Sequence, residues 1–207
     1  MKKYMKGLVL AFLAIFLVSC STLSTEDVQN SAGRMARLIG LNESDSARYV
    51  EEFTKAYENK LIDYSYDSLE DKYFIHPRVS YWSHVEVYYG IKPNHIWARM
   101  KLDYTSDSWL FMKSANIYTD NNKYETGNFY WDVKRDVLDG GRVKEYVDLP
   151  AGDGTLAVMK ELFNSKNKRI VRLIGDEYYE DQDIPEKDIP ALNEVIDLYY
   201  LVVDSLR

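Results

Sequence analysis

Cysteine is almost absent from this sequence, and positive charge is in deficit. The 207 residues include a single cysteine, Cys20, so the chain has no disulfide framework of its own and no thiolate cluster for a metal. Asp and Glu total 33 against 26 Lys and Arg, which gives a net charge of −7. Because a nucleic-acid surface needs excess basic residues to meet the phosphates, this balance argues against a nucleic-acid partner.

The sequence also lacks an apolar run long enough to span a membrane. The longest run, residues 7–18, falls well short of the roughly 20 apolar residues that a spanning helix needs. Three lysines precede it and a small residue, Ser19, follows it, which is typical of a secretory signal. We therefore predict that residues 1–19 are a signal peptide rather than a membrane-spanning anchor.

The end of this segment, Leu17-Val18-Ser19-Cys20, resembles the lipobox of bacterial lipoproteins. The resemblance implies that lipid is attached to the sulfur of Cys20 and that cleavage makes this cysteine the new N-terminus. It places the protein in the cell envelope, anchored to a membrane. Ser21 at the next position resembles the signal for the outer membrane, if the source has two membranes. Loss of three lysines with the signal lowers the mature charge from −7 to −10.

The rest of the chain is predicted to have three parts. Residues 20–25 form a short tether, residues 26–71 form a helical N-terminal region packed on the main domain, and residues 72–207 form that domain. Ser24 and Asp27 match the capping box that begins a helix.

The fold predicted for this chain is α+β. Residues 96–104 alternate apolar and polar side chains, which indicates a half-buried strand. A turn leads into a further strand over 109–118, and another turn over 120–122 completes an antiparallel meander. Residues 62–74 mix tyrosines with acids and stay unassigned. The predicted order is N-terminal helices, an antiparallel β-meander sheet, then helix, strand and helix packing on one face of the sheet.

Three short stretches in the second half of the chain form a recognisable set: Trp109-Leu110-Phe111 with Tyr124, Val143-Lys144-Glu145, and Arg172-Leu173-Ile174-Gly175 followed by Tyr178. With them, residues 96–207 resemble a domain found in exported bacterial proteins of unknown function. The resemblance supports an exported α+β domain and implies no activity.

No catalytic arrangement stands out in the sequence. A Gly-x-Ser-x-Gly nucleophile motif is absent, so we assign no catalytic residue. Paired carboxylates for glycoside hydrolysis stay open, since 33 acids allow many pairs. His76, His84 and His95, together with Glu86, are the candidate zinc ligands, but an evident fourth ligand is lacking. We therefore predict no metal site and no cofactor.

The acidic run over 176–183 is a candidate calcium site, but it lacks the spacing of an EF-hand. Basic residues, Arg172 among them, lie just upstream. Two facing strands of opposite charge explain the run more simply.

Two charged residues are predicted to pair in the interior. Alternation places Arg172 between two isoleucines on one face of its strand and Glu145 between two valines on its own. Because burying a lone charge is costly, we predict that the two strands are neighbours and that these side chains pair. If the pair is enclosed it is structural. If it opens into a cleft beside Asp176 and Tyr178, it is a ligand site for a carboxylate or sugar hydroxyls.

These features together predict a membrane-anchored envelope lipoprotein that acts as a non-enzymatic binding or interaction module. Eighteen tyrosines and four tryptophans supply contact area at low entropic cost, although such residues also suit strands. The expected partners are the membrane, through lipidated Cys20, and an envelope protein or glycan. The alternatives are a cell-envelope hydrolase acting on glycan or peptide, and a small-ligand carrier.

Overall fold

The computed structural model describes residues 23–80 and 84–207. Cys20 and the predicted signal peptide lie outside the described residues. The described part contains four α-helices and two antiparallel sheets, which confirms the α+β class. None of its helices has both the length and the apolar character needed to cross a bilayer.

The elements follow one another in the predicted order. The helices are α1 (Thr25–Leu38), α2 (Glu43–Glu58), α3 (Asp153–Asn164) and α4 (Ile189–Ser205). The strands are β1 (Ile62–Asp67), β2 (Lys72–Pro77), β3 (Val85–Lys92), β4 (His95–Ser106), β5 (Ser114–Tyr118), β6 (Lys123–Glu125), β7 (Lys134–Val137), β8 (Val143–Pro150), β9 (Ile170–Ile174) and β10 (Tyr179–Asp183). The first sheet has the strand order β1-β2-β3-β4-β8-β7, and the second has the order β10-β9-β5-β6.

Local capping signals explain where the first two helices begin. The Ser24 side chain accepts a hydrogen bond from the Asp27 backbone while the Asp27 carboxylate accepts one from the Ser24 backbone, which confirms the capping box. Asn42 caps α2 by accepting from the backbone of Asp45. Gly40, in the turn between the two helices, has a φ of +76°, which a residue with a Cβ rarely adopts.

Helices cover one face of the first sheet. Tyr89, in β3, is fully buried on this face, where its hydroxyl lies 3.1 Å from that of Tyr49 in α2 and its ring centroid lies 6.0 Å from that of Tyr199 in α4. Alternate residues of the same strands, such as Glu86 and Tyr88, point to the opposite face and are partly exposed. The sheet is therefore buried on one side and accessible to solvent on the other.

The structure differs from the predicted layout in two respects. Residues 62–67 form strand β1, so the predicted helical region over 26–71 contributes an edge strand to the first sheet. The predicted single sheet is two sheets, because β5 and β6 pair with β9 rather than with β4. One hydrophobic core nevertheless includes residues of both sheets and all four helices.

Candidate functional site

A buried carboxylate determines the conformation of the loop over residues 108–113, which joins the two sheets. Glu145, in β8, is fully buried. Its carboxylate accepts hydrogen bonds from the backbone N–H groups of Leu110, Phe111 and Met112, at 2.7, 2.8 and 2.8 Å. Three charge-assisted bonds offset the cost of removing this carboxylate from water. The loop is therefore built around a side chain that lies 33 to 35 residues away in the sequence.

This loop holds Phe111 in an uncommon backbone conformation. Phe111 has a φ of +55°, in the left-handed region, and its side chain is 42% exposed. Such a conformation costs about 1 to 3 kcal/mol and persists where the surrounding structure enforces it, often at binding sites. Here Glu145 enforces it by accepting from the Phe111 N–H and from the N–H on either side.

The turn after β9 holds the loop from its other side. Gly175 lies against the loop so closely that a Cβ there would overlap the carbonyl oxygen of Leu110. The Asp176 N–H donates to the same oxygen at 3.3 Å. The Tyr178 hydroxyl donates to the carbonyl of Trp109 at 2.7 Å. The three stretches that carry the predicted resemblance therefore meet at this loop, around residues 109–111, 145 and 175–178.

Arg135, in the edge strand β7, faces Glu145 and contacts two aromatic rings. Its Nε lies 3.3 Å from a carboxylate oxygen of Glu145. Its guanidinium carbon lies 5.7 Å from the ring centroid of Phe111 and 4.9 Å from that of Tyr130. Nε and Nη2 are buried and make no hydrogen bond to any described residue. Arg135 therefore interacts with Glu145 mainly through charge, and its guanidinium contacts both rings.

Four aromatic side chains lie along the surface at this point: Trp109, Phe111, Tyr130 and Trp131. We call them the aromatic cluster. The rings of Trp109 and Phe111 are 6.3 Å apart, and those of Tyr130 and Trp131 are 5.1 Å apart, edge to face. Trp131 is 91% exposed. The cluster thus presents a large aromatic surface to solvent at the edge of the first sheet.

The predicted pair of Arg172 and Glu145 is wrong. The two side chains are on strands of different sheets, β9 in the second and β8 in the first. Arg172 instead makes a bidentate pair with Asp181 across β9 and β10, at 2.6 and 2.7 Å. This pairing raises the pKa of Arg172 and lowers that of Asp181. The pair of facing strands predicted for the acidic run is confirmed, and Arg172 lies on the partly exposed face.

The other two candidate residues lie beside the loop rather than in a cleft with Arg172. Asp176 has its carboxylate 3.5 Å from the ammonium of Lys113 at the end of the loop. Tyr178 is 42% exposed and bonds the loop backbone. The sequence does not point to Arg135 or Trp131, because an arginine on a short edge strand and an exposed tryptophan give no periodic signal.

The histidines are dispersed over the solvent-accessible face of the first sheet and beside it. His76 pairs with Glu86 at 2.6 Å, His84 pairs with Asp103 at 2.8 Å, and His95 stacks against a tryptophan ring. In the part of the chain that the structure describes, no three His, Cys, Asp or Glu side chains gather in a way that would hold a metal ion. The candidate zinc ligands are thus found in two hydrogen-bonded pairs and a stacked ring.

A cleft of about 450 Å³ lies where β4, β5, β8 and α3 approach one another. Its apolar wall includes Met100, Ile117 and Val158. Glu125 is the one carboxylate among its lining residues, and the ammonium of Lys123 pairs with it at 2.7 Å and lowers its pKa. Glycoside hydrolysis would require two convergent carboxylates, and a carrier would require an enclosed cavity, whereas this cleft opens to solvent beside Glu125.

No family model, curated protein or solved structure matches this chain. The resemblance over residues 96–207 therefore stays a prediction.

Proposed function

We propose that this protein is a membrane-anchored envelope lipoprotein whose domain binds another component of the envelope, a protein or a glycan, through the aromatic cluster. Lipid on Cys20 holds it at the membrane, and the domain itself carries out no chemistry. The resemblance of residues 17–20 to a lipobox supports the anchor, and the exposed rings support the binding role.

The binding role is inferred mainly from the exposure of the aromatic cluster to solvent. Single apolar residues on a surface are ordinary, but a contiguous group of large ones marks an interaction site. Trp131 and Phe111 are 91% and 42% exposed, and the guanidinium of Arg135 contacts the rings of Phe111 and Tyr130. Trp, Tyr and Arg are also the residues on which binding energy concentrates in interfaces.

The rigid support of the cluster favours the same role. Glu145 is buried at a cost, and Phe111 is strained. The three hydrogen bonds that Glu145 accepts hold the loop over 108–113 in one conformation in spite of these costs, so the rings of Trp109 and Phe111 are arranged before a partner arrives. Preorganisation of this kind lowers the entropic cost of binding.

Cross-linking at position 131 tests the binding role. A photoreactive benzophenone amino acid in place of Trp131 is expected to give discrete adducts in intact cells, because benzophenone inserts into C–H bonds of protein and glycan alike. The matched control is the same substitution at Leu69, which is 94% exposed in the turn between β1 and β2. Adducts at both positions, or at neither, would contradict the proposal.

The anchor has its own test. Mass spectrometry of the protein extracted from membranes is expected to show residues 1–19 missing and lipid on Cys20. An intact Met1 or an unmodified Cys20 would refute lipid anchoring while leaving the binding surface untouched.

A further inference from the structure

We propose that strand β10 binds an extended basic segment of another protein, which adds to the second sheet as a further strand. β10 is the last strand on its side of this sheet, and four of its five residues are exposed. The aromatic cluster lies by the first sheet, so β10 is a second interaction surface, and its function is independent of the role proposed for the cluster.

The pairing of β9 with β10 determines which backbone groups of β10 face outward. The Gly175 N–H donates to the carbonyl oxygen of Tyr178 at 2.9 Å. Because hydrogen-bonded and non-hydrogen-bonded pairs alternate along an antiparallel ladder, the next residue, Tyr179, is in a non-hydrogen-bonded pair, and so are Asp181 and Asp183. The N–H and C=O groups of these three residues therefore point away from β9. In the described part of the chain no other group bonds to them.

The other sheet edges are shorter or partly protected. β6 and β7 have only three and four residues. At the β1 edge the same alternation, counted from the Arg78 N–H that donates to the Leu61 carbonyl, turns the Tyr64 N–H outward. The carboxylate of Asp63 accepts from that N–H at 2.9 Å and occupies a group that a further strand would need. β10 therefore offers the most open edge for the addition of a strand.

The side chains along β10 favour a basic partner. No Lys or Arg occurs over residues 176–186. Arg172 of β9 pairs with Asp181, whereas Glu180 and Asp183 form no ion pair with any described residue. Lys187 follows only after the strand has ended. The other bases around the strand already have partners: Arg169 pairs with Glu186, Lys113 pairs with Asp176, and Lys168 lies over the ring of Tyr118.

Charge disfavours two other occupants of this edge. A second copy of this chain, paired through its own β10, would bring acids against acids, which destabilises a strand pair. A neutral strand would cover Glu180 and Asp183 without replacing their hydration. A basic strand places opposite charges beside them, and these cross-strand pairs add to the main-chain hydrogen bonds.

Fluorescence anisotropy with labelled peptides tests this proposal on the full chain, extracted in a nonionic detergent. The probes are short peptides in which valine alternates with lysine, threonine or glutamate. The lysine peptide is expected to bind most tightly and the glutamate peptide least tightly. Asp181→Pro should bind the lysine peptide at least about fivefold more weakly than Asp181→Ala, because both variants lose the carboxylate but only proline removes the outward N–H. Proline is tolerated on an edge strand where the N–H faces solvent.

A charge reversal tests the selection of a basic partner. Glu180→Lys combined with Asp183→Lys should reverse the preference, so that the glutamate peptide binds more tightly than the lysine peptide. Glu43→Lys combined with Glu51→Lys makes the same change in net charge at exposed positions of α2. This matched control should keep the preference for the lysine peptide.

Three results would overturn the proposal: equal affinity of Asp181→Pro and Asp181→Ala, no preference of the wild type for the lysine peptide, and the same reversal in the α2 control. If circular dichroism shows that Asp181→Pro does not fold, the charge reversal and its control decide alone. None of these results bears on the aromatic cluster, which is tested separately at position 131.

Discussion

Replacing Glu145 with alanine is expected to lower the free energy of unfolding by about 3 to 5 kcal/mol, the usual cost of breaking a buried charged pair. The change removes the acceptor of three N–H groups in the 108–113 loop, two of which, those of Leu110 and Met112, belong to fully buried residues. It also leaves the guanidinium of Arg135 beside an empty space. Urea denaturation of the full chain measures the loss.

Two further variants show whether burial is the cause. Glu145→Gln keeps the shape of the side chain but offers one acceptor oxygen instead of two. The free energy of unfolding of this variant is therefore expected to lie between those of wild type and Glu145→Ala. Glu125→Ala removes an exposed carboxylate that pairs with Lys123 and is expected to change stability little. If Glu145→Ala and Glu125→Ala lower the free energy of unfolding equally, Glu145 does not support the loop.

The second large effect is expected at Gly175. A Cβ at this position would overlap the Leu110 carbonyl oxygen, which belongs to the backbone and cannot rotate away. Gly175→Ala should therefore lower the free energy of unfolding by about 3 kcal/mol, as overpacking does. Thermal or urea denaturation measures this change.

Gly154→Ala is the matched control for Gly175→Ala. Gly154 lies in the first turn of α3, with no atom within 4 Å of where its Cβ would be. Alanine favours a helix over glycine, so this variant should be as stable as wild type or more stable by up to about 1 kcal/mol. A Gly175→Ala protein as stable as Gly154→Ala would mean that the loop does not lie against the turn after β9.

Local signals in the sequence were enough to predict the helices and one of the longest strands. The capping box at Ser24 and the alternation over 96–104 depend on residues close in sequence, and the structure confirms both as α1 and β4. The strand predicted over 109–118 is shorter, since only Ser114–Tyr118 pairs. Residues 110–112 are apolar, as a buried strand would be, but their N–H groups bond to Glu145 instead of to a neighbouring strand.

The burial of Glu145 could be predicted from the sequence, but its hydrogen-bond partners could not. The alternation that buries Glu145 between two valines is confirmed, and so is the requirement that a buried charge be paired. Its main partners are backbone N–H groups. Because every residue except proline has such a group, no sequence pattern shows which of them will bond to Glu145. Arg172 was misplaced because β9 is apolar on both faces. Alternation could not show that Val171 and Leu173 are the buried residues and that Arg172 lies on the outer side.

The point where the chain enters the domain and the aromatic cluster lie at opposite edges of the first sheet. The chain enters the domain at the β1 edge, where the Thr25 hydroxyl donates to Glu58 at the end of α2. The aromatic cluster lies by β7, five strand spacings away, which is about 24 Å. With Cys20 in the bilayer, as proposed, the five residues before Thr25 extend at most about 18 Å. The lipid and the partner bound by the rings are then attached at opposite edges of one sheet, so the sheet itself links the membrane to the bound component.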